Sequence, residues 1–195
     1  GALRANIPAI MFPGGPMLSG PAFGEKSKAD STTAAETYGK YQKGEASWED
    51  VLNLQYITQP TCGSCNFYGT ANTMSCTAEA LGLALPDAGA IPAVYNERLR
   101  CGKRTGQKIM ELVKKQIKPR DIVTKAAIEN AIKYVMATGG STNAVIHLTA
   151  IAYEAGIDPA WTMDAFDRIS DEIPHIAKIN PASNDYDMQD FYFAG

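Results

Sequence analysis

The sequence has few cysteines, few histidines, no excess of basic residues and no long apolar run. Four cysteines and two histidines occur in 195 residues, and 18 Lys and Arg against 21 Asp and Glu leave a net charge of −3. So few cysteines do not make a secreted disulfide scaffold, which favours a reducing compartment. The acidic balance argues against a nucleic-acid partner. No apolar run approaches the roughly 20 residues of a membrane-spanning helix, so no membrane partner is expected.

What is present is an ordinary globular composition. Hydrophobic residues make up 45% of the chain and charged residues 20%. Wholesale disorder is therefore excluded, and a sizeable core is expected. The chain starts at Gly1 without an initiator Met, and it ends at Gly195 directly after an aromatic stretch. We therefore expect a segment of a longer protein.

Apolar periodicity and turn residues predict many helices and few strands. The apolar residues 7–12 run into a Pro-Gly-Gly-Pro turn and predict a buried strand before a tight loop. Residues 175–179 predict a second short strand. Helices are expected from 31, from 47, and over 70–85, 95–116, 124–136, 144–155 and 163–170. The expected fold class is α/β and helix-rich, with only part of the central sheet in this segment.

Three helix starts carry specific capping signals. Thr33, three residues before Glu36, is one candidate for a capping box. Ser47, at the head of Ser-Trp-Glu-Asp, is a second candidate, with acidic residues crowding the first helical turn. Thr124 is expected to cap the helix that follows it.

The helix predicted over 95–116 is rich in basic residues. We expect it to turn Leu99, Ile109, Leu112 and Val113 toward the core and Arg98 toward solvent. Cys101 lies among three basic residues, so we interpret it as an incidental surface cysteine. The basic residues themselves are expected to form a solvated helix face.

The Cys62-Gly63-Ser64-Cys65 pair is the densest chemical signal, and its spacing leaves three interpretations open. Two thiolates on a loop before a helix can ligate a soft metal or an iron–sulfur cluster. The same spacing can form a redox dithiol, or two reduced cysteines in a tight loop. A closed zinc site is disfavoured, because neither a second pair nor paired histidines follow. Cys76, inside the next helix, is expected to be a small buried residue.

A Gly-Gly-Ser-Thr-Asn turn at 139–143 precedes another predicted helix. Its backbone N–H groups and hydroxyls could bind an anion, or Ser141 could be an ordinary cap of the helix start. His147 lies four residues after Asn143 on the same helix face. It either orients a group at that helix start or is a core histidine bonded to a backbone carbonyl. Ser141, Thr142, Asn143 and His147 are thus candidate contacts to substrate or to groups that hold it.

Together these motifs resemble the family of dihydroxy-acid and sugar-acid dehydratases. The resemblance is carried, in order and spacing, by residues 12–17, 60–74, 79–86, 121–124, 129–131 and 139–148. It implies that residues 1–195 form part of a three-layer α/β/α N-terminal domain. A β-rich C-terminal domain, absent from this segment, would follow, so the segment alone is expected to be inactive.

The resemblance also implies an iron–sulfur cluster and Mg²⁺. Members carry a 2Fe–2S cluster or, in the phosphogluconate branch, a 4Fe–4S cluster, held by three cysteines with one iron left open. Cys65 matches the third of these ligands, whereas Cys62 varies among members and is the less expected ligand. The other ligands, the magnesium site and the catalytic serine base would lie outside this segment.

The implied activity is that of a hydro-lyase that forms a 2-keto-3-deoxy acid from a small-molecule sugar acid. Residues 66–69 and 91–98 look more like the sugar-acid branches, which favours an aldonic acid as substrate. The alternative is a dihydroxy-acid dehydratase of branched-chain amino-acid biosynthesis. The resemblance also suggests a homo-oligomer, dimer or tetramer, in the cytoplasm, or in the mitochondrial matrix of a eukaryote.

Two other classes of protein remain open. A thiol–disulfide oxidoreductase could use Cys62 and Cys65, but Thr61 stands where thioredoxin-like proteins place an aromatic residue. The third class is a non-catalytic scaffold that folds without binding a cluster. The colour of the anaerobically purified protein separates both from a cluster-dependent dehydratase.

Overall fold

The computed structural model describes residues 1–21 and 28–195, and these residues fold into ten helices. The helices are α1 (Ala2–Ala5), α2 (Ser31–Gln42), α3 (Trp48–Ile57), α4 (Thr70–Ala80), α5 (Asn96–Lys115), α6 (Pro119–Ile122), α7 (Lys125–Thr138), α8 (Asn143–Glu154), α9 (Pro159–Glu172) and α10 (Met188–Ala194). Strand pairing in the same residues is limited to three isolated bridges. None of the helices described here has the length and apolar character needed to cross a membrane.

Helices α4, α7, α8 and α9 form the main core. Helix α7 packs against the other three, and α4 also contacts α8. The core side chains are large aliphatic residues at helical spacing, among them Ile128, Ile132, Leu148 and Ile169, all fully buried. Burying a side chain of this kind stabilises a fold by about 1.5–3 kcal/mol. Because α4 packs against α8, the loop before α4 and the turn before α8 lie next to each other.

Capping explains where several helices begin. Ser47 and Thr124 cap α3 and α7 as predicted, each accepting a hydrogen bond from the backbone N–H three residues later, at 3.1 and 3.3 Å. At α2 the predicted box at Thr33 and Glu36 is wrong. Asp30 is the cap, because its carboxylate accepts from the backbone N–H groups of Thr32 and Thr33 at 2.7 and 3.0 Å. Thr33 is the third residue of the helix, and its hydroxyl accepts from the Asp30 N–H at 3.2 Å, which completes the box.

The predicted strands are not formed among the described residues. In segment 7–12, Met11 makes a single parallel bridge to Ala84. In segment 175–179, two backbone N–H groups donate to the Ala137 carbonyl at the end of α7, at 2.8 and 3.3 Å. A ladder needs successive pairs along two strands, and neither segment has such a neighbour here. The helical part of the predicted fold class is confirmed, while the three-layer α/β/α arrangement stays a prediction.

Helix α5 presents a different face to the core from the predicted one. Leu99 is 73% exposed and Val113 is also exposed, whereas Arg98 is only 5% exposed and Cys101 is fully buried. The Arg98 guanidinium group donates to the backbone carbonyls of Pro13, Ala88 and Ile91. Because these three carbonyls compensate for the lost hydration, the charged Arg98 side chain can be buried. The spacing of apolar residues along the helix does not predict this position.

Candidate functional site

Cys65 and the Gly-rich turn before α8 line one cleft. The cleft has a volume of about 530 Å³ and lies between the loop that leads into α4 and the turn that leads into α8. Its walls include Cys65, Phe67, Thr70, Gly140, Ser141 and Thr142. The structure therefore brings together two groups of candidate residues that are far apart in the sequence.

The loop that carries Cys65 is fixed on one side by residues 14–17. The Ser64 N–H donates to the Gly15 carbonyl at 2.9 Å, and the Met17 N–H donates to the Ser64 carbonyl at 2.8 Å. Gly63 has φ +133°, and a Cβ there would overlap the backbone of residues 16 and 17. Glycine is therefore required at 63 for the two loops to approach this closely.

The residues after Cys65 anchor the loop to other elements. Asn66 is buried, and its side-chain amide donates to the Thr58 carbonyl at 3.2 Å. The Tyr68 N–H donates to the Asn180 carbonyl at 2.6 Å, and the Tyr68 hydroxyl lies 3.0 Å from that of Thr138. Burial raises the pKa of Tyr68, which keeps its hydroxyl protonated. Both side chains thus hold the loop, and Tyr68 also forms part of the cleft wall, whereas Asn66 does not line it.

Hydroxyl and amide groups join the other wall of the cleft to the start of α4. The Ser141 hydroxyl lies 3.0 Å from the Thr70 hydroxyl, and Asn143 Nδ2 donates to Thr70 Oγ1 at 2.8 Å. The Ser141 N–H donates to Thr73 Oγ1 at 3.0 Å. The Ser141 hydroxyl also accepts from the Asn143 N–H at 3.3 Å, but the N-cap of α8 is Thr142, without a side-chain cap bond, so Ser141 is not the ordinary cap of this helix.

Thr142 and His147 differ in their relation to the cleft. Thr142 is exposed and lines it. His147 is exposed one turn further along α8 and is not among the lining residues. Its interpretation as a core histidine is wrong, because Ala144 and Leu148 take the inward positions of that helix.

The four cysteines fall into two pairs with different environments. Cys62 is exposed and Cys65 half-buried, and both are free thiols. Cys76 is buried as predicted, and burial raises its pKa to about 12. The prediction that Cys101 is a surface residue is wrong, because it packs against Ala88 and Ile91 on the inward face of α5. Cys62 and Cys65 are therefore the thiols placed to bind a ligand.

A larger cavity of about 720 Å³ lies elsewhere, beside Cys76, Glu79, Tyr134 and the aromatic residues of α10. None of the candidate residues lines it. Its carboxylate, Glu79, already accepts hydrogen bonds from the backbone N–H groups of Asp87 and Gly89. Burial raises the pKa of Glu79. Glu79 thus holds the local backbone, and two further lining residues, Glu97 and Arg104, pair with each other at 2.9 Å, so the smaller cleft at Cys65 is the better candidate site.

The cleft offers one side chain that could bind a metal cluster, and not a complete set of ligands. Over residues 1–21 and 28–195, no three Cys, His, Asp or Glu side chains are grouped so that they could hold a metal ion. Cys65 nevertheless places a half-buried thiol on the cleft wall, and a thiolate is the ligand that iron–sulfur clusters require. The donor chemistry therefore suits a cluster whose other ligands come from outside the described residues.

A comparison with profiles of protein families identifies the family of this chain. The family profile described as "Dihydroxy-acid/6-phosphogluconate dehydratase N-terminal" matches residues 1–195. The chain belongs to this family. Similar relatives include proteins named dihydroxy-acid dehydratase from Caldanaerobacter subterraneus subsp. tengcongensis and Caldicellulosiruptor bescii, with 47% and 49% identity over the whole chain. One from Methanospirillum hungatei is 47% identical over 98% of the chain.

The chain spans about a third of the length of these relatives, 34% in each case. The family resemblance inferred from the sequence motifs is thus confirmed. The structure adds residues to which the sequence assigned no role, chiefly Asn72 and Ser64, which contact the Cys65 loop. Their only signal in the sequence is their position next to the cysteine pair and in the first turn of the following helix.

Proposed function

We propose that this chain is the N-terminal part of a dihydroxy-acid dehydratase, a hydro-lyase that converts a 2,3-dihydroxy acid to a 2-keto acid. The observation that carries the proposal is identity of 47–49% along the whole chain to relatives of that name. Relatives of the same name occur in both bacteria and archaea, such as Methanospirillum hungatei. The cleft at Cys65 supports the proposal, because it offers a thiol and hydroxyl groups around one space.

The names of the relatives weigh against the sugar-acid interpretation. That interpretation depends on the likeness of residues 66–69 and 91–98 to the sugar-acid branches, and several of these side chains have a structural role. Asn66, Tyr68 and Arg98 are all buried, with their side chains bonded to protein groups. Of residues 66–69, Phe67, Tyr68 and Gly69 line the cleft, and the Tyr68 hydroxyl is already paired with that of Thr138. We therefore favour a dihydroxy acid such as 2,3-dihydroxy-isovalerate over an aldonic acid.

The proposed reaction removes the 3-hydroxyl group as water and a proton from carbon 2, and the resulting enol tautomerises to the ketone. Hydroxide is a poor leaving group, and a bound iron–sulfur cluster would supply the Lewis acid that polarises it. Cys65 would be one cluster ligand from this chain. The Ser141 and Thr142 hydroxyls face the same cleft and can orient a polar substrate, while Phe67 helps to exclude water. For Mg²⁺, the described residues offer no candidate site.

The test uses the protein expressed from its complete coding sequence and purified without oxygen. We expect a brown protein that releases a 2-keto acid from 2,3-dihydroxy-isovalerate faster than from a panel of aldonates. Iron and sulfide analysis distinguishes a 2Fe–2S from a 4Fe–4S cluster, and light scattering tests for a dimer or tetramer. A faster reaction with an aldonate would contradict the proposed substrate and support the sugar-acid interpretation.

Cys62→Ala is the matched control for Cys65→Ala, because both substitutions remove a thiol from the same loop. We expect Cys65→Ala to abolish the visible absorption of the cluster and Cys62→Ala to retain it. A colourless wild-type protein in which Cys62 and Cys65 titrate together as a dithiol would refute the proposal. That result would favour the thiol–disulfide oxidoreductase instead.

A further inference from the structure

The side chain of Asn72 is fully buried although it lies in the first turn of α4. A carboxamide transferred from water to the interior loses its hydration, so burial is favourable only when its polar atoms find partners. Asn72 finds all of them in the loop that carries Cys65 rather than in the helical core. This placement links a helix, which is rigid, to a loop, which is not rigid by itself.

Three hydrogen bonds make this link. Asn72 Nδ2 donates to the Cys65 carbonyl, and also to the Phe67 carbonyl at 2.8 Å. The Ser64 hydroxyl donates to Asn72 Oδ1 at 2.6 Å. The orientation of the amide is fixed by chemistry, because the reverse orientation would turn its oxygen toward two carbonyl oxygens. Residues 64–67 thus wrap around a single buried amide.

These contacts restrict Cys65 on both sides. Its own carbonyl is held by Asn72, and the preceding residue, Ser64, is held by Asn72 as well as by the Gly15 carbonyl. With the backbone fixed at these points, rotation about the Cα–Cβ bond is the main freedom left to the thiol. A metal ligand held in this way loses little conformational entropy when it binds.

We propose that Asn72 is a positioning residue for Cys65: through the Cys65 and Phe67 carbonyls and the Ser64 hydroxyl, it holds the thiol aimed into the cleft before any cluster is bound. This inference goes beyond the proposed function and draws on it only for the identity of the group that Cys65 would bind. Asn72 itself contacts the loop and not the substrate.

The test compares the alkylation of Cys65 with that of Cys62 in the same molecule. The protein expressed from its complete coding sequence is stripped of metal with a chelator, treated with iodoacetamide, and analysed by peptide mass spectrometry. Cys62 is exposed and lies in the same loop, so it serves as an internal standard. Asn72→Asp keeps the shape of the side chain but cannot donate to the two carbonyls. Asn53→Asp, the same change at an exposed position of α3, is the matched control.

We expect Asn72→Asp to raise the Cys65:Cys62 alkylation ratio about five- to a hundredfold, the factor that the loss of two hydrogen bonds produces in an equilibrium. Asn53→Asp should leave the ratio unchanged. In the cluster-loaded protein, Asn72→Asp should speed the loss of visible absorption to a chelator by a similar factor. A ratio within 1.5-fold of wild type in folded Asn72→Asp, about the scatter expected of such a comparison, would overturn the proposal.

Circular dichroism shows whether each variant folds. If Asn72→Asp does not fold, Ser64→Ala decides the question, because it removes one of the three bonds and leaves the amide in place. A raised ratio in Ser64→Ala supports the proposal, and an unchanged ratio refutes it. The alkylation assay needs no cluster and no activity. A wild-type protein without a cluster would therefore count against the proposed function, while the alkylation ratio would still judge the role of Asn72.

Discussion

Two regions of this chain are stabilised in different ways. In the helical core of α4, α7, α8 and α9, fully buried aliphatic side chains such as Ile132 and Leu148 pack against one another. The cysteine region, residues 12–17 and 61–69 with their contacts, is instead held by buried polar groups. Arg98, Asn66 and Asn72 each bind backbone carbonyls there. Packing is non-directional and tolerates small shifts, whereas hydrogen bonds fix particular atoms.

The difference matters for the candidate site. A loop that must aim a thiol into a cleft gains more from directional bonds than from apolar contact. Each such bond, however, leaves an unsatisfied buried group when one partner is removed, which costs about 1–3 kcal/mol. The cysteine region should therefore be the more sensitive one to single polar substitutions, and the helical core to changes in volume.

The largest effect should come from Arg98→Ala. This substitution leaves three carbonyls, from the loop at residue 13 and the loop at residues 88–91, without their donor. It also removes the guanidinium group that packs 5.6 Å from the centre of the Phe12 ring. We expect a loss of about 4 kcal/mol in the free energy of unfolding. We also expect a raised Cys65:Cys62 alkylation ratio, because the loop that Arg98 holds is paired with Ser64. Urea denaturation and peptide mass spectrometry measure the two quantities.

Arg104→Ala is the control for Arg98→Ala. Arg104 lies on the same helix, but it is exposed and pairs with Glu97 at 2.9 Å on the surface. Exposed ion pairs contribute little, so neither stability nor alkylation should change noticeably. Equal stability and equal alkylation ratios in the two arginine variants would mean that the buried carbonyl contacts of Arg98 contribute no more than a surface ion pair. That result would contradict the proposed difference between the two regions.

A smaller effect is expected from Leu148→Ala in the helical core. Truncation of a fully buried leucine leaves a cavity and costs about 3 kcal/mol. The Cys65:Cys62 alkylation ratio should stay at its wild-type value in the folded variant, because no bond of the cysteine region is removed. A ratio that rose in Leu148→Ala as much as in Arg98→Ala would show that the two regions are not separable.

The sequence predicted the helical core better than the cysteine region, and the reason is physical. Caps such as Ser47 and Thr124 act within a few residues, so local patterns show where their helices begin. Cys65 and Ser141 are both candidates from the sequence, and their roles stay predictions; their meeting in one cleft depends on the packing of α4 against α8, which the sequence does not show. Short-range chemistry is visible in a sequence, and long-range packing is not.

The inward position of Arg98 could not be predicted for the same reason. Its acceptors come from residues 13, 88 and 91, and the first of these lies far away in the chain. A basic residue with no visible partner is sensibly expected to face solvent. Of the residues that the apolar pattern turns inward, Leu99 and Val113 are exposed, whereas Ile109 and Leu112 are half-buried, so the prediction is wrong for part of the helix face. The predicted strands failed similarly, since a strand needs a neighbour that no local pattern reveals.

The smallest effect is expected from Leu99→Gln, and it tests this point directly. The apolar pattern of α5 places Leu99 in the core, where a polar substitution would cost several kcal/mol. The structure leaves its side chain 73% exposed, so Leu99→Gln should change the free energy of unfolding by no more than about 0.5 kcal/mol. Cys101→Gln, two residues further along the same helix, is the counterpart, because that position is fully buried and a larger polar side chain does not fit. Thermal unfolding of both variants should therefore separate them clearly. Equal losses would mean that α5 presents the face that the hydrophobic pattern predicts, and that Arg98 is not held inward by its three carbonyls.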